Sequence, residues 1–174
     1  MQKDDTAVSS MKNIILIGMP GCGKSTAGVL LAKTLGYSFL DTDLLLQQRA
    51  GKKLYEIIRD DGIDAFLQLE TDTVAALEDT DKMVIATGGS VVLGEAAMAR
   101  LGKIGQIVYL QLPLSQIQQR ISNIKTRGIA MGPGEGLEDV YNHRAPLYER
   151  YADITVSAAF SLEETVEDIV RSVM

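Results

Sequence analysis

Short aliphatic runs recur along the chain, and each is followed by a longer stretch with apolar positions three and four residues apart. Residues 14–17 (IILI) lead into 25–35, residues 83–86 (MVIA) into 94–101, and residues 107–110 (IVYL) into 114–121. Unbroken apolar runs suit strands covered on both faces, and the longer stretches have helical period. Two shorter strands are expected at 38–40 and 153–156, and a closing helix over 162–173 is opened by the capping sequence SLEE. The alternation predicts an α/β fold in three layers, with about five parallel strands and helices on both faces.

Two stretches break the alternation. Residues 44–77 read as helix almost throughout, interrupted at Ala50-Gly51 and Asp61-Gly62, with no strand between. The second is KTRGIAMGPGEG, residues 125–136, where glycines and a proline separate two helical segments and nothing anchors a core. Such a loop in a compact domain is commonly a functional lid or disordered, and a mobile loop is expected.

At 174 residues the chain suits one domain, expected over residues 11–174. The first ten residues, MQKDDTAVSS, have mixed charge and no apolar segment, and read as a disordered leader rather than a signal or anchor. Lys and Arg number 17 against 23 Asp and Glu, a net charge of −6, so nucleic acid and membrane surfaces are not expected partners. Any anionic ligand must be met by local positive charge. A single cysteine, Cys22, excludes an internal disulfide and suits the cytoplasm. A single histidine, His143, has no companions at metal-ligand spacing and is expected at the surface.

Between the first strand and first helix stands G-M-P-G-C-G-K-S, residues 18–25, which fits G-x-x-x-x-G-K-[ST]. In that setting the backbone N–H groups of Gly21, Cys22, Gly23, Lys24, Ser25 and Thr26 have no partners within the helix and can wrap a phosphate. Lys24 would reach the terminal phosphates, and the Ser25 hydroxyl would ligate magnesium. Cys22 reads as a spacer within the loop. The chain lacks the Asn/Thr-Lys-x-Asp tetrapeptide of switch GTPases, and its third strand ends in Thr87-Gly88-Gly89 rather than the aspartate of ATPase motors. A small kinase using ATP and Mg2+ is therefore expected, in which positioning and charge neutralisation do most of the catalysis.

FLDTDLL places Asp41 and Asp43 at the carboxyl end of the second strand, the edge where parallel sheets bind ligands. One carboxylate could hold a magnesium-bound water and the other accept a hydrogen bond from a hydroxyl. Equally, Asp43 could serve as the N-cap of the following helix.

The phosphate loop, DTD, DGIDAFLQLE, ATGGS and HRAPLYERYAD follow one another in the order and approximate spacing of shikimate kinases, and the chain resembles that family from Met11 onward. The resemblance implies ATP-dependent phosphorylation of a hydroxyl of a small polyhydroxylated acid, shikimate foremost, by a monomer. It implies that Asp41 holds the metal through water and that Asp43 binds and activates the acceptor hydroxyl. It further implies that Gly88 and Gly89 present backbone amides to the acceptor, that Arg144 pairs with its carboxylate, that Arg127 closes over the phosphoryl group, and that Arg120 packs against adenine. The acceptor-binding insertion would span about residues 43–77 and the lid about 123–136.

The sequence also departs from the family pattern. Phe-Arg-x-x-Glu has become Phe66-Leu67-Gln68-Leu69-Glu70, the third glycine of Gly-Gly-Gly is Ser90, and Arg-Pro-Leu-Leu is Arg127-Gly128-Ile129-Ala130. A missing clamp arginine costs about 1.5–3 kcal/mol of acceptor binding unless something replaces it. The three changes touch the acceptor side or the lid, which leaves two alternatives open. One is a relative acting on another acceptor such as a sugar acid, and the other is a nucleotide-binding module without phosphotransfer. Glu70 reads equally well as a partner of the acceptor site or as an exposed helix charge.

Overall fold

The computed structural model describes residues 12–121 and 128–174. The leader expected over residues 1–10, Arg127, and the part of the lid within 122–127 lie outside the described residues. Five parallel strands form one sheet: β1 (Asn13–Ile17), β2 (Ser38–Asp41), β3 (Met83–Ala86), β4 (Gly105–Gln111) and β5 (Ile154–Ser157), in the spatial order β2-β3-β1-β4-β5. All five residues of β1 are buried: β3 and β4 flank it within the sheet, and helices cover both of its faces. This is the physical reason for its uninterrupted aliphatic run. The edge strand β2 is only partly covered and is correspondingly mixed in composition.

From β1 the chain moves outward to β2 and back to β3, then crosses to the opposite side for β4 and β5. The strand order thus reverses at β1, and the crevice beyond its carboxyl end is where such sheets bind ligands. Into it open the N-terminal end of α1 (Lys24–Leu35), the turn after β3, and helix α2 (Thr42–Ala50), which follows β2 directly.

Helices α2, α3 (Leu54–Asp61) and α4 (Ile63–Ala75) are the expected strandless insertion, with breaks at Gly51 and Gly62. They enclose a small second core of Leu46, Ile57, Phe66 and Ala130, against which Leu67 packs. Of the apolar residues over 44–58, Leu46 and Ile57 belong to this core, whereas Leu44 turns outward and is 55% exposed. Helices α5 (Glu95–Ile104), α6 (Leu114–Arg120), α7 (Leu137–Tyr151) and α8 (Leu162–Val173) complete the layers. A 3₁₀ turn at Val91–Leu93, which the sequence pattern does not announce, follows β3.

The SLEE cap forms as expected at α8, with Ser161 Oγ accepting from the Glu164 N–H while Glu164 accepts from the Ser161 N–H. Arg100, which reads as a solvated charge, instead donates to the Leu77 carbonyl (2.8 Å) and to Asp79 (2.7 Å), fastening α5 to the chain that leaves α4. At the amino end of the sheet Asn13 is fully buried. Its amide donates to the carbonyls of Thr80 (2.8 Å) and Ile104 (2.9 Å), and its oxygen accepts from the Met83 N–H (3.1 Å).

Candidate active site

The phosphate loop leaves β1 at Gly18 and enters α1 at Lys24. A Cβ at Gly18 would lie 2.8 Å from the Leu110 carbonyl oxygen, so the loop can rest on β4 only with glycine there. Lys24 is buried and curls over the loop, its Nζ donating to the carbonyls of Gly18 (2.8 Å) and Met19 (2.9 Å). Cys22 is buried, and its N–H donates to the Met19 carbonyl at 3.2 Å. This suits the spacer reading, and the Cys22 sulfur accepts from Lys24 Nζ at 3.7 Å.

Ser25 Oγ donates to Asp41 Oδ2 at 2.7 Å, so the two expected metal-site residues meet although sixteen positions separate them in sequence. A hydroxyl and a carboxylate are hard oxygen donors, and Mg2+ characteristically takes one or two such protein ligands beside water and substrate phosphates. The pair fits that ion. The N-cap of α2 is Asp41 and not Asp43: Asp41 Oδ1 accepts from the N–H groups of Asp43 (2.9 Å) and Leu44 (3.4 Å). Released from capping, the Asp43 carboxyl reaches the cleft. Burial, with the Asp41 charge adding to it and Lys24 opposing it, pushes its pKa up to about 6.

After β3 the turn Thr87-Gly88-Gly89-Ser90 crosses the cleft floor. A Cβ on Gly88 would lie 2.5 Å from Glu70 Oε2 and 2.7 Å from Asp43 Oδ1. Both carboxyl groups therefore converge on this glycine, within about 5 Å of one another, the range over which one charge opposes another. Gly88→Ala is expected to displace both groups and raise the acceptor KM at least tenfold, while the KM for ATP changes little; steady-state kinetics with each substrate varied in turn tests this. At Gly89 a Cβ would strike Pro20 of the phosphate loop, and the Gly89 carbonyl accepts from the hydroxyl of Tyr148, a buried side chain stacked on Tyr109.

Glu70 is buried to 1% exposure and not an exposed helix charge; Ser90 Oγ donates to its Oε1 at 2.6 Å. Arg144, on α7, is 3% exposed and donates to the Ala130 carbonyl at 2.7 Å. Gln68 turns away from the cleft toward Asp72 (2.8 Å) and does not fill the place of the missing arginine. His143 is exposed, as expected.

Lys24, Ser25, Asp43, Gly88, Glu70 and Arg144 thus line one cavity of about 420 Å³. Its upper end adjoins a smaller cavity of about 230 Å³, with Gly23, Thr26 and Arg120 common to both. Arg120 is steadied there by donation to the Ala158 carbonyl (3.3 Å). The two chambers suit a nucleotide whose base lies beside Arg120 and whose phosphates lie on the loop. Sequence reasoning did not single out Tyr148 or Phe160, which lines the smaller cavity. An aromatic within the HRAPLYERY segment was a usable signal for the first, whereas a lone phenylalanine in a loop gave none for the second.

The shikimate kinase family model matches residues 20–174. The chain belongs to the shikimate kinase family. It is 36% identical over 165 residues to a shikimate kinase of Caldanaerobacter subterraneus, covering 93% of this chain and 96% of that one. It is 38% identical over 164 residues to a shikimate kinase of Nostoc sp., covering 93% and 88%. Among solved structures, shikimate kinase from Acinetobacter baumannii in complex with shikimate superposes with a TM-score of 0.86 at 29% identity, covering 94% of this chain and 93% of that one. The five-stranded parallel sheet flanked by helices is the shikimate kinase form of the phosphate-loop kinase fold.

Proposed function

We propose that this protein transfers the γ-phosphoryl group of Mg-ATP to a hydroxyl of shikimate, giving shikimate 3-phosphate for aromatic amino acid biosynthesis. The observation that carries this reading is the convergence of an anion-binding loop, a raised-pKa aspartate and a buried arginine on one cavity. Membership of the family supports it. Backbone N–H groups of residues 21–26 and the Lys24 ammonium hold the phosphates, and Arg120 lies against the base. Ser25 and Asp41 would hold Mg2+, which when bound draws charge from the β- and γ-phosphate oxygens. Arg127 is assigned to the lid by the family pattern alone.

At the other end Arg144 binds the acceptor carboxylate through its planar guanidinium, and the amides of Gly88 and Gly89 face the ring. Asp43 accepts the proton of the attacking hydroxyl. Its raised pKa makes it a better base than an ordinary aspartate while leaving it mostly ionised at neutral pH. Among the described residues no helix is long and apolar enough to cross a membrane. With the acidic composition and the single cysteine, this supports a cytoplasmic protein without nucleic acid or membrane partners, and the family resemblance is what supports a monomer.

The test is ADP release from Mg-ATP with and without millimolar shikimate, using Lys24→Ala as the blank. Shikimate-dependent turnover that vanishes in the variant is the expected result. ATP binding without stimulation by shikimate would overturn the acceptor assignment and direct the search to other polyhydroxy acids.

A further inference from the structure

We propose that Glu70 enters the acceptor site as a neutral carboxylic acid and donates its Oε2 proton to the acceptor carboxylate, in the place of a second arginine. The inference rests on the reading of the acceptor as a carboxylated polyol. Position 67 carries no donor, since Leu67 packs into the small apolar core of the insertion. Gln68, next to it, is occupied by Asp72. Among the described lining residues, the acceptor end of the cavity holds one guanidinium, that of Arg144, and two carboxyl groups, those of Asp43 and Glu70; Asp43 is engaged with the acceptor hydroxyl, which leaves Glu70.

The hydrogen bonding of Glu70 fixes which of its oxygens carries the proton. Ser90 Oγ donates to Oε1, which is therefore the carbonyl-like acceptor oxygen. Oε2 is buried without a hydrogen-bond partner among the described residues; it lies against Gly88, and both residues line the cavity. A buried polar atom without a partner, at the wall of a ligand site, is a position a ligand is built to satisfy. Among the described residues no cation lies within ion-pairing distance of Glu70. An ionised Glu70 would then set a buried negative charge against both Asp43 and an anionic acceptor.

The charged groups that act most on Glu70 are Asp43 of α2, Arg144 of α7 and Lys24 of α1; of the helices that also pack on α4, α5 has its Arg100 held by Leu77 and Asp79, and α3 has its Arg59 paired with Asp60. Burial dominates and pushes the Glu70 carboxyl up to about 7; the Ser90 bond pulls it down, and Asp43 adds to the rise. Bound phosphates and the acceptor carboxylate add further negative charge nearby, which favours the protonated form in the complex. Serine at position 90 thus has a function of its own: it orients the acid so that its proton faces the ligand.

The experiment is the pH profile of the KM for shikimate at saturating Mg-ATP, for the wild type, Glu70→Gln and Ser90→Ala. In the wild type KM is expected to climb about tenfold or more between roughly pH 6.5 and 8.5, as the free enzyme loses the proton. Glu70→Gln keeps a donor at every pH, so its KM is expected to stay flat. Ser90→Ala removes a bond that lowers the pKa, so its climb is expected to move to higher pH. A flat wild-type profile, or a climb unchanged in Glu70→Gln, overturns the assignment. Should either variant fail to fold, calorimetry of shikimate binding to the wild type near pH 8 in buffers of different ionisation enthalpy decides instead. Uptake approaching one proton supports the donor role, and no uptake overturns it. Absence of shikimate turnover at any pH in the wild type removes the acceptor reading itself, a result distinct from turnover with a flat profile.

Discussion

Asparagine at position 43 is expected to lower kcat by about 10² to 10⁴, the usual contribution of a positioned general base. The substitution conserves size and leaves Asp41 capping α2, because the cap bonds run to the backbone N–H of residue 43 and not to its side chain. The KM for ATP should therefore stay within a few fold, which separates lost chemistry from lost structure. The pH dependence adds a second reading. The carboxyl group of Asp43 is raised to about 6 by burial, so the acid form gains population as pH falls through that value. In the wild type kcat/KM should decline below about pH 6, and this acid limb should be missing from the residual activity of Asp43→Asn. Stopped assays from pH 5 to 8 on both proteins check it. A variant that keeps more than a tenth of the wild-type kcat would remove Asp43 from the role of base.

Arg144→Ala should act on the other substrate parameter. The guanidinium is the one cation at the acceptor end among the lining residues described, and a charge-assisted hydrogen bond in a closed site contributes about 1.5–3 kcal/mol. Deleting it should raise the KM for shikimate by roughly 10- to 100-fold or more. Arg144→Lys should recover only part of this, since an ammonium lacks the planar pair of donors. An acceptor analogue whose carboxylate is replaced by a neutral alcohol provides the control. With that analogue the penalty for Arg144→Ala should shrink to a few fold, and a penalty of undiminished size would mean that Arg144 acts through the Ala130 carbonyl it holds rather than on the ligand. Thermal denaturation of the variant reads the latter contribution separately.

Much of this site follows from local sequence because its parts are set by short-range geometry. The phosphate loop, the Asp41–Asp43 pair and the Gly88-Gly89 turn each sit at the end of a strand whose apolar run is legible by itself. The parallel topology then brings those ends together. The breaks at Gly51 and Gly62 were equally legible. What could not be read are the features that depend on partners far along the chain. Glu70 shares its helix face with buried Phe66, Thr73 and Val74, yet a carboxylate on such a face gives no sign of burial until the hydroxyl of Ser90 is known to meet it. That Asp41 rather than Asp43 caps α2 has a similar origin. Both residue types cap helices well, and only the backbone path out of β2 decides which of them does so. Arg100 looked like a solvated charge because its acceptors lie beyond the end of another helix.

The placement of β1 has a consequence for the order in which the molecule can be built. This strand and the loop that follows it are the first described parts of the chain to be synthesised, yet every neighbour that shapes them comes later. Thr87 donates to the Leu16 carbonyl, the Leu110 carbonyl sets the close approach at Gly18, and the Asn13 side chain is bonded to Thr80, Met83 and Ile104. Contacts so distant in sequence must bear the entropy of closing long loops before they return any stabilisation, which makes folding slow relative to helical proteins of similar size. On the ribosome the nucleotide-binding loop should therefore remain without its final shape until synthesis has passed Gln111, and ATP can aid folding only after that point.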